Sequence, residues 1–225
     1  MATILIADDH PLFREALRGA VQRLLPDATL IEADSAPSLL ALADAHPDAD
    51  LLLLDLNMPG AHGFSTLIHL RGSQPQLPIM VVSAREEPAI IRRALDHGAS
   101  GFIPKSVDAV HMREAIAEVL AGGNWAPPQV SQAHGIDQEE AQIAQRVREL
   151  TPQQFRVLGM LSTGLLNKQI AYELHVSEAT IKAHMTAILR KLGANNRTQA
   201  VLLAGRLAVD PVAVTVPAGD SDAFE

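Results

Sequence analysis

Five residues in this chain have the right types to do chemistry together if the fold brings them to one place: Asp8, Asp9, Asp55, Ser83 and Lys105. Three carboxylates set close to one another repel and raise one another's pKa unless a cation lies among them. Hard oxygen ligands with waters suit Mg²⁺. Lys105 would add a second positive charge and Ser83 a hydroxyl donor. A cation, a lysine and a hydroxyl around one carboxylate make a receptacle for a phosphoryl group. Asp55 is then a nucleophile that forms an aspartyl-phosphate. Taken alone, Asp55 also reads as a strand-end residue capping the loop at Pro59-Gly60. The elements that carry these residues have to decide between the two.

Asp55 follows Leu51-Leu52-Leu53-Leu54, a run typical of a strand buried on both faces of a parallel sheet. Apolar strands are also expected at residues 3–8, 29–33, 77–82 and 101–103. Helical spacing appears between them. Leu12, Ala16, Leu17, Ala20, Val21 and Leu24 form an apolar stripe after Pro11. Ser38–Ala45, Phe64–Leu70, Pro88–His97 and Val107–Leu120 follow. Five β-α units in succession predict a doubly wound parallel sheet with helices on both faces. In such sheets ligands bind outside the carboxyl ends of the strands. Asp8-Asp9, Asp55, Ser83 and Lys105 stand at or just past four of those ends. No glycine-rich phosphate loop follows the first strand, which argues against dinucleotide binding.

The chain has 225 residues, 48% hydrophobic and 20% charged, which is a globular composition long enough for two domains. It contains no cysteine, which excludes disulfides and thiolate chemistry and fits a reducing compartment. The start carries no signal-peptide pattern, and no apolar run approaches the ~20 residues of a membrane span. A cytoplasmic protein with no membrane partner is the expectation. The net charge of −8 is unevenly spread: residues 1–125 carry −7 and residues 148–208 carry +5. Two modules with different partners are implied, the basic one suited to a polyanion.

Residues 1–122 form the first module. Residues 123–147 read as a linker with a helix over Asp137–Glu149, and Trp125 is expected to pack on the first module. Residues 148–208 read as four short helices, an all-α helix-turn-helix domain. Residues 209–225 read as a disordered tail. In the basic module Thr151-Pro152 starts a helix, Asn167 a second and Ser177 a third, which Gly193 closes. On the third, Ile181, Met185, Ile188 and Leu192 recur at core spacing. Thr180, Lys182, Ala183 and Thr186 lie on other faces, as a helix reading a DNA major groove would place them. Lys168, Arg190, Lys191 and Arg197 are candidates for phosphate contacts. His184, at the edge of the stripe, is either core or a phosphate contact.

The first 120 or so residues resemble the receiver domain of two-component response regulators. The likeness rests on Asp8-Asp9, on Asp55 followed by Met58-Pro59-Gly60, on Ser83-Ala84, and on Lys105 in Gly101-Phe102-Ile103-Pro104-Lys105. It implies that Asp8, Asp9, Asp55 and the backbone carbonyl of Asn57 bind Mg²⁺. Asp55 would accept phosphate from the phosphohistidine of a sensor kinase. Ser83 and Lys105 would hold the phosphoryl group, and Phe102 would be the switch aromatic, its plain alternative being a core phenylalanine. Many receivers carry a proline directly after the lysine. Here Ser106 follows, and Pro104 precedes, so any cis bond would have to be Ile103–Pro104. Leu150–Ala204 resembles the LuxR-type helix-turn-helix module, through Leu150-Thr151-Pro152, Gly164–Ala171, Val176–His184 and Leu189–Gly193. Gln153-Gln154 replaces the usual Arg-Glu, and Thr186 stands where some relatives have a base-contacting lysine. The two likenesses together give the layout of NarL/FixJ-type response regulators.

The expectation is a transcription regulator in which phosphorylation of Asp55 controls homodimerisation and sequence-specific binding to double-stranded DNA. It would be an enzyme only in its own phosphotransfer and dephosphorylation. A phosphorylation-independent regulator, with the first module as a dimerisation or ligand-sensing domain, is the alternative. A phosphohydrolase is disfavoured because the position two residues after Asp55, where a general acid would stand, is Asn57. The placement of the third helix relative to the first module separates activation by release from activation by dimerisation.

Overall fold

The computed structural model describes residues 1–128, 130 and 135–209. Part of the expected linker and residues 210–225 of the expected tail lie outside these. Five parallel strands, β1 (Thr3–Ala7), β2 (Thr29–Ala33), β3 (Leu51–Asp55), β4 (Ile79–Ser83) and β5 (Gly101–Pro104), form one sheet in the order β2-β1-β3-β4-β5. The helices between and after them are α1 (Pro11–Leu24), α2 (Ala36–Ala45), α3 (Ser65–Ser73), α4 (Pro88–Asp96) and α5 (Ala109–Leu120).

The leucine run is buried because successive side chains of a strand point to opposite faces and both faces are covered. Leu51 and Leu53 pack with Leu17 and Val21 of α1 and Ile116 of α5. Leu52 and Leu54 pack on the other face with Leu39 of α2, Ile68 of α3 and Ile91 of α4. Each of the four is fully buried, worth roughly 1.5–3 kcal/mol per side chain. The expected stripe on α1 is corrected at one position. Leu12 is 86% exposed, at the open end of the sheet next to Asp55. Helix α5 starts two residues later than its apolar pattern suggests, since the Asp108 carboxylate accepts from the N–H groups of Val110 and His111 and fixes the N-cap there. No peptide bond among the described residues is cis, so Ile103–Pro104 is trans.

The expected linker has two structural roles. Trp125 runs beside β5: its N–H donates to Ser100 O, and its carbonyl accepts from Phe102 N at 3.0 Å. Helix α6 (Gln138–Arg148) begins at the Asp137 cap, within the expected helix, and ends one residue past the expected linker boundary at 147. It buries Ile143, Ala144 and Val147 and packs along α3. Beyond it lie α7 (Pro152–Ser162), α8 (Asn167–Glu173), α9 (Glu178–Leu192) and α10 (Arg197–Gly205). Thr151 and Gln154 form a reciprocal capping box for α7. Ser177 caps α9, and Gly193, with φ of 66°, closes it in the left-handed conformation. His175 makes the tight turn between α8 and α9 with φ of 52°. One hydrophobic cluster runs from α3 through α6 into α7, α9 and α10, so the two modules are docked. Val209, expected in the tail, belongs to this core and is 8% exposed.

Candidate functional site

The strand order reverses direction at β1, whose neighbours β2 and β3 lie on opposite sides, and the crevice opens there. Asp8 follows β1 and is fully buried; Asp55 ends β3 and is 2% exposed. Lys105 Nζ reaches between them, 2.7 Å from Asp8 Oδ2 and 2.9 Å from Asp55 Oδ2. The N–H of Asn57 donates to Asp55 Oδ1 at 3.2 Å. An open cavity of about 450 Å³, lined by His10, Phe13, Asp55, Asn57, Ala84 and Lys105, gives access from solvent. Ser83 ends β4 fully buried, its hydroxyl accepting from Arg85 N, and its carbonyl accepts from Lys105 N at 2.7 Å. Phe102 is fully buried within β5. Asp8, Asp55 and Lys105 thus meet at the cavity, and Ser83 joins them through its carbonyl.

Burial raises the pKa of Asp55; the bonds from Lys105 and from the Asn57 N–H act against it, and the Asp8 charge adds to the rise. Burial pulls Lys105 down, but the Asp8 and Asp55 carboxylates outweigh it and hold the ammonium above its ordinary value. Ligating atoms of Asp8, Asp9, His10 and Asp55 all lie within 4.8 Å of one another. Asp8 Oδ2 and Asp9 Oδ1 are buried without a hydrogen-bond partner among the described residues, the Lys105 contact to Asp8 being an ion pair. Buried carboxylate oxygens left with spare lone pairs are a donor set that fits a divalent cation.

At the other end of the molecule α9 packs on α6, α7, α8 and α10 through Ile181, Met185, Ile188 and Leu192. Lys182, Ala183, Thr186 and Arg190 are exposed; Thr180 and His184 are half-buried at the edge of the same helix; Lys168 is exposed on α8. Two expected phosphate contacts are corrected. Lys191 Nζ donates to Glu149 O at 2.6 Å and to Gln154 Oε1 at 2.8 Å, and Arg197 donates to Leu165 O. Both cations hold helices of their own module together. Gln154 supplies both the cap of α7 and a partner for Lys191.

Comparison with known proteins bears on both ends. Residues 4–117 match the family described as response regulator receiver domain, and residues 148–204 the family described as bacterial regulatory proteins, luxR family. The chain is 44% identical over 211 residues to the glycerol metabolism activator of Pseudomonas putida, covering 91% of this chain and 96% of that one. It is 32% identical over 204 residues to the nitrate/nitrite response regulator protein NarL of Escherichia coli strain K12, covering 89% and 94%. The chain belongs to the two-component response regulators. Among solved structures it resembles RcsB of Salmonella enterica serovar Typhimurium bound to a promoter in the presence of phosphomimetic BeF₃⁻. The TM-score is 0.51, the identity 27%, and 90% of this chain and 97% of that one are covered. No helix among the described residues is long and apolar enough to cross a membrane.

The regulator also carries a polar cluster that its sequence did not announce. Arg93, on α4 of the receiver, bonds both oxygens of Glu140 on α6, with Nε at 3.0 and 3.2 Å. The same guanidinium donates to the carbonyls of Arg206, Ala208 and Val209 just past α10, each at 3.2 Å. His97 Nε2, fully buried, lies 2.7 Å from Glu140 Oε1. Burial pushes Glu140 up, but His97 and Arg93 outweigh it and hold its carboxyl below the usual value. Beside them the His69 ring stacks on Phe155 of α7, with centroids 4.2 Å apart, and burial lowers its pKa to about 4. His62 Nε2 lies 3.1 Å from Gly159 O of α7. The receiver therefore grips α6, α7 and the end of α10, and leaves the outer face of α9 exposed.

Proposed function

We propose that Asp55 takes a phosphoryl group from the phosphohistidine of a sensor kinase and that the phosphorylated regulator dimerises to bind specific DNA sites. The observation that carries this reading is Lys105 Nζ seated between Asp8 and Asp55 at the mouth of an open cavity. An oxygen of the Asp55 carboxylate attacks phosphorus, the P–N bond to the kinase imidazole breaks, and its electron pair returns to that ring nitrogen. The four leucines hold the nucleophile in place. Lys105 and the Ser83 hydroxyl would hold two phosphoryl oxygens. Asp8, Asp9, Asp55 and the Asn57 carbonyl would hold Mg²⁺, which when bound supplies positive charge against the phosphoryl oxygens. The regulator turns over nothing beyond its own phosphotransfer and dephosphorylation, and works in the cytoplasm.

Phosphorylation adds roughly two negative charges to a buried site. Lys105, which contacts Asp55 and whose N–H is bonded to Ser83 O, directly follows β5, the strand that carries Phe102. Because Lys182, Ala183 and Thr186 are already exposed, control acts through pairing of two copies rather than through unmasking of α9. A dimer presents two α9 helices to half-sites one helical turn or a multiple apart. Thr180, Lys182, Ala183, His184 and Thr186 form the reading edge, with Lys168 and Arg190 on the phosphates.

The test is labelling of the full chain with acetyl phosphate and Mg²⁺, followed by intact-mass spectrometry and gel filtration. Wild type is expected to gain one phosphoryl group and shift to a dimer, and Asp55→Asn to do neither. Full labelling of Asp55→Asn refutes the site. Equal dimerisation and DNA affinity with and without phosphate supports the phosphorylation-independent alternative.

A further inference from the structure

His10 caps the start of α1 immediately after the acidic pair and borders the Asp55 cavity, with a side chain 66% exposed. Its Nδ1 lies 2.8 Å from Asp9 Oδ1 and 3.3 Å from Asp8 Oδ1. Yet Asp9 Oδ1 has no hydrogen bond among the described residues. The imidazole nitrogen and the carboxylate oxygen are therefore close but out of line: the N–H direction of the ring passes beside the oxygen. Two donors sitting side by side, neither aimed at the other, have the relation of two ligands aimed at a common third atom. Neighbouring ligands on an octahedral ion with bonds of 2.0–2.1 Å are about 2.9 Å apart, and on a tetrahedral one about 3.3 Å. The two separations observed bracket these values. Ligand atoms of Asp8, Asp9, His10 and Asp55 all lie within 4.8 Å of one another, so the cluster faces one point.

We infer that His10 Nδ1 is an additional ligand at the receiver's cation site, engaged by divalent ions that accept nitrogen and bypassed by Mg²⁺. Oxygen-only ligation suits Mg²⁺, whereas imidazole strengthens binding of Mn²⁺ slightly and of Co²⁺, Zn²⁺ and Ni²⁺ more. The ring binds through the Nδ1 lone pair in its Nε2–H tautomer, with Nε2 turned toward solvent. The consequence is a receiver whose response to transition metals is steeper than its acidic residues alone would give. The inference rests on the reading of Asp8, Asp9 and Asp55 as a cation site.

Electron spin-echo envelope modulation of the full chain loaded with Mn²⁺ tests it, because a directly bound imidazole imprints ¹⁴N modulation on the manganese signal. The wild type is expected to show that modulation. His10→Ala is expected to bind Mn²⁺ without it. In calorimetric titrations His10→Ala is expected to lose about tenfold in Ni²⁺ affinity and less than twofold in Mg²⁺ affinity. Mn²⁺ bound by wild type with no nitrogen modulation overturns the role of His10 and leaves the oxygen site standing. Modulation that persists in His10→Ala also overturns it. A wild type that binds no Mn²⁺ at all overturns the cation site as well.

Discussion

Replacing Arg93 by alanine probes how firmly the receiver holds the DNA-binding module. The guanidinium touches both oxygens of Glu140 and three carbonyls beyond α10, and lies 4.7 Å from the centroid of the Phe64 ring. The Arg93 and Glu140 side chains are only 12% and 10% exposed, so screening by solvent is slight. Removing one partner of a buried ion pair costs about 3–5 kcal/mol, because the other charge stays buried. Here His97 remains on Glu140, which favours the lower end. About 3 kcal/mol corresponds to roughly a 150-fold shift toward the undocked state. The chain has no cysteine, so fluorophores on Asp27→Cys and Thr198→Cys report the distance between modules without background labelling. Arg93→Ala is expected to lower transfer efficiency sharply at neutral pH. Glu140→Ala in the same chain is expected to restore part of it, since the orphaned carboxylate is then gone. Unchanged efficiency in Arg93→Ala, or strictly additive effects in the double variant, refutes the clamp.

Three further outcomes follow from the same contacts. A Cβ on Gly72, within α3, would stand 2.9 Å from Arg148 O, so Gly72→Ala is expected to undock the modules by fluorescence transfer although it favours helix by about 1 kcal/mol; retained docking counts against a rigid α3–α6 contact. Burial lowers the pKa of His69 from 6.5 to about 4, so docking that keeps it neutral is fully favoured above pH 6.5 and is lost progressively toward pH 4. At pH 5.5 the loss is at most about 1.4 kcal/mol, the figure that applies when undocking exposes the ring fully. His69→Phe is expected to remove that part of the acid dependence, and an unchanged titration of transfer efficiency would show that His69 is not its source. Lys182→Ala, on the exposed face of α9, is expected to weaken operator binding by about 1–3 kcal/mol if the side chain reads a base. A drop of about one in the salt slope instead marks a phosphate contact, and an unchanged affinity rules out α9 as the reader.

The sheet and its site were legible because each rests on a short-range rule. Four consecutive leucines mean two buried faces, and a carboxylate after them arrives at the strand end whatever the rest of the chain does. Asp8, Asp9, Ser83 and Lys105 follow the same logic, so topology alone gathers them. The docking surface obeys no such rule. Arg93 and Glu140 sit on helices with polar neighbours, where a charge ordinarily faces water. Their burial depends on α4 and α6 meeting, two elements more than 40 residues apart. His62 packs against α7, and its spacing in the sequence carries no sign of that partner. Helix α3 shows the limit best: Ser65 to Leu70 are all buried, which erases the half-polar pattern by which a surface helix is recognised. Lys191 and Arg197 went astray for the converse reason. Their charge suits a phosphate, and the carbonyls of Glu149 and Leu165 that engage them are invisible until the helices pack.

A phosphoryl group on Asp55 would act on the DNA-binding module through what touches both, and two of those contacts differ in character. The first is backbone: β5 holds Phe102, whose N–H is bonded to the carbonyl of Trp125, so a shift of β5 moves the start of the connection itself. The second is side chain: α4 follows the loop after Ser83 and carries Arg93 to Glu140 and to the carbonyls beyond α10. Neither route touches the exposed face of α9. A signal carried this way alters how the module is held, and therefore how two modules are placed relative to each other, without altering the surface that reads DNA. Separating the two routes is direct. Arg93→Ala cuts the second while leaving the Phe102–Trp125 bond intact, so a phosphorylation-dependent dimer that survives it does not depend on the Arg93 clamp.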